Sequence, residues 1–446
     1  MCHLDITTDG LSLHEILEGL VSPAPTLEYL SLHSSQAGHE EQPSVPDTIF
    51  DGAAPRLSCL ELRDCNISWK SPLLKGLRYL EISKLSTLER PSLSVWLDAL
   101  DELPQLKTLT LCEASPIAPT GARLPSYVER TIIHRSLTYL DIVGSARDCG
   151  LALAHLVLPA LIHLGVKAGS FSRSGGESAS DVQDILPYFS QHAHGPQDTQ
   201  PLQSVFVCST EKCIKIFAWT FPDIDIELPD QIPLFKPMHS ARVAFYVVNV
   251  AWRPGTHTAI FDAAMATLPL DSIVTLTTDG FSQFDEQFWL RYAPRWPLLR
   301  RVRLASPAAR GFTEMLLDEH GERECPLLPL LSKLVLNKAG LRARRILLLC
   351  NAFMKRMEQG VPLETLELHK CLATSRAVDL LSEIVVEVLG PEETLKRKAQ
   401  EVSECVSVLR GPFVPDTGSN DGSWDDWELE LDKDKKWYDQ PSYSYW

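Results

Sequence analysis

The residues best able to do chemistry in this 446-residue chain are its 11 cysteines and 13 histidines. Their spacing does not build a familiar site. No C-x-x-C occurs, and the closest two thiols are Cys208 and Cys213. His192-Ala-His194 could supply half of a metal site, but no second ligand cluster accompanies it. Its polar setting beside Gly195-Pro196 reads as solvent-exposed. Gly169-Ser-Phe-Ser-Arg-Ser-Gly-Gly176 is glycine- and serine-rich but lacks a phosphate-gripping lysine, so it reads as a loop. G-x-x-x-x-G-K-[ST], H-E-x-x-H and G-x-S-x-G are all missing from the sequence. The expectation is a protein that is not an enzyme and has no cofactor or metal.

Cys59, Cys65, Cys112, Cys208 and Cys371 fall on or just past predicted strands, where a small apolar residue fits, so they read as core or concave-surface residues rather than reactive thiols. An odd number of cysteines without framework spacing points to reduced thiols and to the cytoplasm and/or nucleus. The most apolar stretch, 151–166, holds His155, Pro159 and His163 and is shorter than the ~20 residues of a membrane span. No membrane partner is expected. The net charge of −16 excludes a whole-protein positive field for nucleic acid. With no motif that reads bases, nucleic acid is not the expected partner.

What must position any working residues is a repeat. Leucine is about 15% of the chain and recurs as L-x-x-L-x-L. Copies start at Leu27, Leu57, Leu77, Leu106, Leu137, Leu161, Leu299, Leu331 and Leu363. Weaker ones are Leu202/Val205/Val207, Val243/Tyr246/Val248 and Ile273/Leu276/Thr278. Leu4 and Ile6 would belong to a thirteenth. The mean spacing is about 30 residues. Between copies, apolar residues follow helical periodicity: Leu13/Ile16/Leu17/Leu20, Trp96/Leu97/Leu100, Ile260/Ala263/Ala264 and Ile346/Leu349/Phe353/Met357. Proline stands two residues before the first leucine at Pro25, Pro55, Pro104, Pro159, Pro297 and Pro329, where it should end the helix and hold the incoming residue extended. The fold class expected is α/β: a leucine-rich-repeat solenoid, a curved horseshoe with parallel strands on the concave face and helices on the convex face. It would fill residues 1–410 with about 12–13 irregular repeats, with irregular insertions at 34–52 and 170–200. Residues 411–446, with nine acids, three lysines and seven Trp or Tyr, read as a disordered acidic tail.

The unit helix–x–Pro–x–Leu-x-x-Leu-x-Leu, with Leu13-His-Glu-Ile-Leu-Glu-Gly-Leu20 leading into Pro25-Thr-Leu27-Glu-Tyr-Leu30-Ser-Leu32, resembles the leucine-rich-repeat region of fungal, basidiomycete-type F-box proteins. The resemblance implies a non-catalytic protein–protein interaction domain that recognises substrates for a ubiquitin ligase. No F-box is recognisable, because Leu27 opens a repeat only ten residues after Leu17. An adaptor and cullin complex is therefore implied only if an F-box lies upstream. The alternative is a stand-alone repeat scaffold or inhibitor unrelated to ubiquitination.

In either case the expected working surface is the concave face, read from the second, fourth and sixth residues after each first leucine. These columns give Tyr29; Glu61 and Arg63; Tyr79 and Glu81; Tyr139 and Asp141; then Arg301 and Arg303; Lys333; and Glu367. The face should run from tyrosine-plus-acid to basic, since 295–356 holds 13 Lys and Arg against five acids. Tyrosine and arginine are enriched at binding hot spots, so a protein ligand on this face is the expected partner.

Overall fold

The structure is a computed structural model that describes residues 2–35, 42–85, 90–118, 130–169, 179–194, 200–210, 213–222, 241–248, 256–280, 284–317, 326–341 and 343–389. The chain divides into two units, Met1–Ala399 and Gln400–Trp446, and every described residue lies in the first. The Gly169–Gly176 stretch beyond Gly169 and the acidic tail lie outside the described residues.

The first unit is mixed α/β, and fifteen strands form one large sheet. They are β1 (His3–Thr8), β2 (Tyr29–Ser34), β3 (Cys59–Arg63), β4 (Tyr79–Ser83), β5 (Thr108–Cys112), β6 (Tyr139–Gly144), β7 (His163–Ala168) and β8 (Ser204–Ser209). They continue as β9 (Cys213–Trp219), β10 (Val243–Val248), β11 (Thr275–Gly280), β12 (Arg301–Ala305), β13 (Lys333–Asn337), β14 (Thr365–His369) and β15 (Glu387–Leu389). Helices among the described residues include α1 (Gly10–Gly19), α2 (Leu93–Asp101), α3 (Ala146–Ala154), α4 (Ala179–Gln183), α5 (Leu186–His194), α6 (Thr256–Thr267), α7 (Glu286–Tyr292), α8 (Ser306–Leu317), α9 (Ala343–Glu358) and α10 (Ser375–Ser382). No helix among the described residues is long and apolar enough to cross a membrane.

The leucine triplets explain the sheet. Leu30, Leu60, Leu80, Leu109 and Leu140 stand opposite one another in successive parallel strands, followed two residues on by Leu32, Leu62, Ile82, Leu111 and Ile142. All are buried in one core with Leu13, Leu17, Trp96, Leu97 and Leu100 of the helices. Leu4 and Ile6 pair with Leu30 and Leu32 and take the same places in β1. Each first leucine also closes a turn. The amides of Leu27, Leu57, Leu106, Leu161, Leu299 and Leu331 donate to the carbonyl three residues back. The six prolines therefore sit second in a hydrogen-bonded turn, where a fixed φ is favourable. Side-chain caps start the helices: Asp9, Ser92, Ser145, Asp285 and Thr374 each accept from a first-turn amide.

A second periodic feature follows the strands. Asp64, Lys84, Glu113, Lys338 and Lys370 all take a left-handed backbone, with φ between 51° and 60°. Four of their amides donate to a carbonyl at the end of the next strand: those of Ser83, Cys112, Val143 and His369. That conformation costs an L-residue about 1–2 kcal/mol. Glycine would remove the strain but loses about 0.5–1 kcal/mol to unfolded-state entropy. Glu113→Gly should therefore leave stability unchanged or raise it by up to about 1 kcal/mol, whereas Glu113→Val should lower it. Urea denaturation of the two variants checks this, and a stabilising valine would refute it.

The order of strands departs from expectation in the middle. In space the order is β1 to β7, then β10, β9, β8, then β11 to β15. The chain passes over two places after β7, turns back through β9, and fills the place beside β7 with β10. Among the described residues, only the two pairs made by β9 are antiparallel. The Val243/Tyr246/Val248 triplet is consequently in the wrong register. Leu164 pairs with Val243 and Val166 with Phe245, so Val243 and Phe245 face the core while Tyr246 faces away. The stretch 170–200 is less irregular than expected, since α4 and α5 lie in it. His192 is a further correction: it lies half-buried on α5, and burial followed by the charge of Arg242 pushes its pKa down to about 4.

Candidate functional site

Alternation along each strand sends the second, fourth and sixth residues to the face opposite the helices. Pairing then aligns them into rows. One row runs Asp5, Ser31, Glu61, Glu81, Thr110, Asp141 and Gly165 across β1 to β7. Beside it runs His3, Tyr29, Cys59, Tyr79, Thr108, Tyr139 and His163. The expected residues Tyr29, Glu61, Arg63, Tyr79 and Glu81 thus come together on β2–β4. Tyr139 and Asp141 stand two strands further on, beyond Thr108 and Thr110.

The tyrosines hold the acids. Tyr79 donates its hydroxyl to Glu81 at 2.7 Å, and Tyr139 donates to Asp141. Tyr29 stacks on His3 with ring centroids 4.0 Å apart. Burial, reinforced by the neighbouring carboxylates, pushes Tyr29 up to about 12 and raises Tyr79 and Tyr139 as well, so all three are neutral donors. Burial also raises Glu61, and the adjacent charge of Glu81 adds to the effect. Asp5, Ser31, His33, Glu61, Arg63 and Glu81 line a cleft of about 170 Å³ here.

Farther along, His163 stacks on Tyr139 at 4.2 Å, meets Asp141 through Nε2 at 3.0 Å and reaches the Ala241 carbonyl through Nδ1. This cluster needs a glycine beside it: a Cβ on Gly165 would stand 1.6 Å from Asp141 Oδ1. The sequence reading missed His163 and Gly165. The signal was the pair of dipeptide offsets, Tyr139-x-Asp141 above His163-x-Gly165.

The middle of the face is closed. Phe206, Phe217, Trp219, Ala241, Ala244 and Cys208 form a separate, buried apolar cluster. Next to it Lys167 and Lys215 lie 5.3 Å and 5.0 Å from the ring of Tyr246, one on each side of β10. The continuous polar surface expected from the columns is therefore two surfaces with an apolar floor between them.

The C-terminal surface is less basic than its composition suggested. Lys333 forms an ion pair with Glu367, and His369 Nε2 is 3.0 Å from the other carboxylate oxygen. Burial alone would raise Glu367, but the bond and charge of Lys333, then of His369, hold it below its ordinary value. Arg303 is buried on β12, opposite Val335, while Arg301 beside it is half-buried. The structure thus places Arg301, Arg303, Lys333 and Glu367 together, as a partly self-neutralised group apart from the acidic one.

Among the described residues no group of His, Cys, Asp and Glu side chains could hold a metal ion. The β2–β4 face offers fixed carboxylates with phenols beside them, an arrangement suited to hydrogen-bonding cations. No family model matches this chain, and no curated protein matches it.

Proposed function

We propose that this chain is a leucine-rich-repeat-type solenoid that works as a non-catalytic protein-binding module. In this reading the β2–β4 face takes a lysine- or arginine-bearing segment of a protein partner. The observation that carries it is the pairing of Glu61 with Glu81 directly across neighbouring strands. Like charges opposite one another destabilise a sheet. No basic side chain among the described residues forms an ion pair with either of them. A cation from outside would relieve that cost, and the tyrosines beside the acids supply apolar area and cation–π faces. Substrate recognition for a ubiquitin ligase and binding by a stand-alone scaffold would both use this face. Co-purification with a cullin adaptor favours the first reading, and its failure under the same conditions favours the second.

The test of the face is charge reversal. A short fluorescent lysine- and arginine-rich peptide should bind the chain in a salt-sensitive manner, and a glutamate-rich one should not. Glu61→Lys with Glu81→Lys should weaken capture by roughly tenfold or more, since each lost charged contact is worth about 1.5–3 kcal/mol. Both residues are half-buried rather than core, so the fold should persist. Undiminished binding by the folded double variant would refute the assignment.

A further inference from the structure

We propose that Cys208 and Cys213 form a peroxide-oxidisable dithiol, with Cys213 as the attacking sulfur and Cys208 as the resolving one. The site lies outside the β2–β4 face and stands independently of the binding reading. It is built by β9, the strand that departs from the repeat. β8 and β9 pair antiparallel, with Ser209 opposite Ile214 and Cys208 opposite Lys215. Thr210 donates its amide to the Cys213 carbonyl at 2.9 Å and closes the hairpin. Alternation puts Cys208, Cys213 and Lys215 on the same face, with the two thiols on a diagonal one pair in from the turn.

The surroundings of Cys213 differ from those of the other described cysteines. Thr210 Oγ1 accepts the Cys213 amide at 3.2 Å and also lies 3.2 Å from Cys213 Sγ. Lys215 stands two residues on from Cys213 and on the same face, where its ammonium adds positive charge beside the sulfur. A threonine hydroxyl, a cation and partial exposure around one sulfur favour its thiolate. The thiol is accordingly pushed down, chiefly by the hydrogen bond from Cys208, while Cys208 is pushed up by the same bond and by burial. Cys59 and Cys112, on the same face of the sheet, go the other way: burial and nearby carboxylates raise them to about 12 and about 11.

The chemistry balances with a hydroperoxide as oxidant. The Cys213 thiolate attacks one peroxide oxygen, the O–O bond breaks, and Cys213 becomes a sulfenic acid as hydroxide leaves. The Cys208 sulfur then attacks the sulfenic sulfur, and its proton departs with the hydroxyl as water. Two thiols give up two electrons to one peroxide, yielding a disulfide and two waters. A diagonal pair must draw closer than its resting spacing to bond, so the bridge would be strained and readily reduced, as suits a reversible site.

The experiment treats the full chain with equimolar hydrogen peroxide and maps cysteine states by mass spectrometry without reduction. The expected product is one dominant Cys208–Cys213 linkage, removed by dithiothreitol. Cys208→Ser should instead give a dimedone adduct at Cys213. Cys213→Ser should abolish both products while keeping the far-ultraviolet circular dichroism of the parent. Oxidation spread over Cys2, Cys59 and Cys112 to the same extent as Cys213 would overturn the proposal. So would a Cys213 sulfenic acid in the parent chain that never closes onto Cys208. The parent measurement needs no variant, so misfolding of either serine variant does not rescue the idea.

Discussion

Gly311→Ala should destabilise the first unit by about 1–3 kcal/mol, although helix propensity predicts the opposite sign. Gly311 lies inside α8, where alanine is usually worth about 0.5–1 kcal/mol more than glycine. Here the new Cβ would stand 2.3 Å from the Phe284 carbonyl oxygen and 2.6 Å from the Asp285 carbonyl carbon. Those atoms are backbone, so no rotamer change relieves the clash. They also carry structure: Asp285 caps α7 through the Phe288 amide at 2.8 Å, and the Phe284 carbonyl accepts from the Trp289 indole at 3.2 Å. Moving them disturbs the aromatic core in which Trp289 meets Phe288 and Phe312 edge-on at 5.2 Å and 4.8 Å. Overpacking costs about 1–3 kcal/mol and a lost cap about 1 kcal/mol, which together outweigh the propensity gain. Gly19→Ala is the control, because nothing lies within 4 Å of its Cβ position. Urea denaturation should separate the two variants clearly, and matching curves would show that α7 and α8 yield without cost.

How far the sequence spoke depends on which force placed each residue. Burial was legible. Leu27, Leu57, Leu77, Leu106, Leu299, Leu331 and Leu363 were read as inward, and all are at most 2% exposed. A period-two strand joined to a helical stripe leaves little choice of side, and the large, mostly parallel α/β sheet follows from it. The rows Tyr29/Tyr79/Tyr139 and Glu61/Glu81/Asp141 were legible for the same reason, since fixing the leucines fixes the alternate residues. Backbone demands were not legible. The left-handed positions carry Asp, Lys and Glu, without the glycine or asparagine that would announce them. The reversal at β9 was hidden because Cys213-Ile-Lys-Ile-Phe-Ala-Trp219 is an ordinary strand sequence whose partner is decided by the sheet. The helix stripe also misassigned Ile16 and Met357, which are 40% and 52% exposed. At Met357 the reason is visible in the neighbouring residue. Arg356 is 2% exposed and turns inward because carbonyl oxygens there need donors.

That arginine should be the costliest polar side chain to remove from the C-terminal half. Its Nη1 donates to the Leu327 carbonyl at 2.9 Å, and its Nη2 donates to those of Leu328 and Leu331 at 3.1 Å and 3.2 Å. These carbonyls belong to the turn that feeds β13, where Leu328 is held at a φ of 52°. Arg295 makes a lesser version of the same tie, donating to Met265 and Leu268 at 3.4 Å and 3.3 Å. Burial lowers the Arg356 guanidinium to about 10, still far enough above neutrality to keep its charge. Arg356→Met keeps most of the volume and ends the cost of burying a cation, which works in its favour. Against that, the Leu327 and Leu331 carbonyls lose the guanidinium donor, at about 1–3 kcal/mol each where water cannot replace it, while that of Leu328 keeps the Leu331 amide. The second effect is larger, and a net loss of about 2–4 kcal/mol is expected. Arg356→Lys should recover only part of it, because one ammonium cannot span three acceptors as a planar fork does. Arg295→Met, with longer contacts and a partly exposed side chain, should cost about 1 kcal/mol. Urea midpoints measured for the three variants should therefore rank Arg295→Met above Arg356→Lys above Arg356→Met. An Arg356→Met chain as stable as the parent would mean that the turn rearranges to satisfy its own carbonyls. In that case the left-handed Leu328 should be lost with it, which a crystal structure of the variant would show.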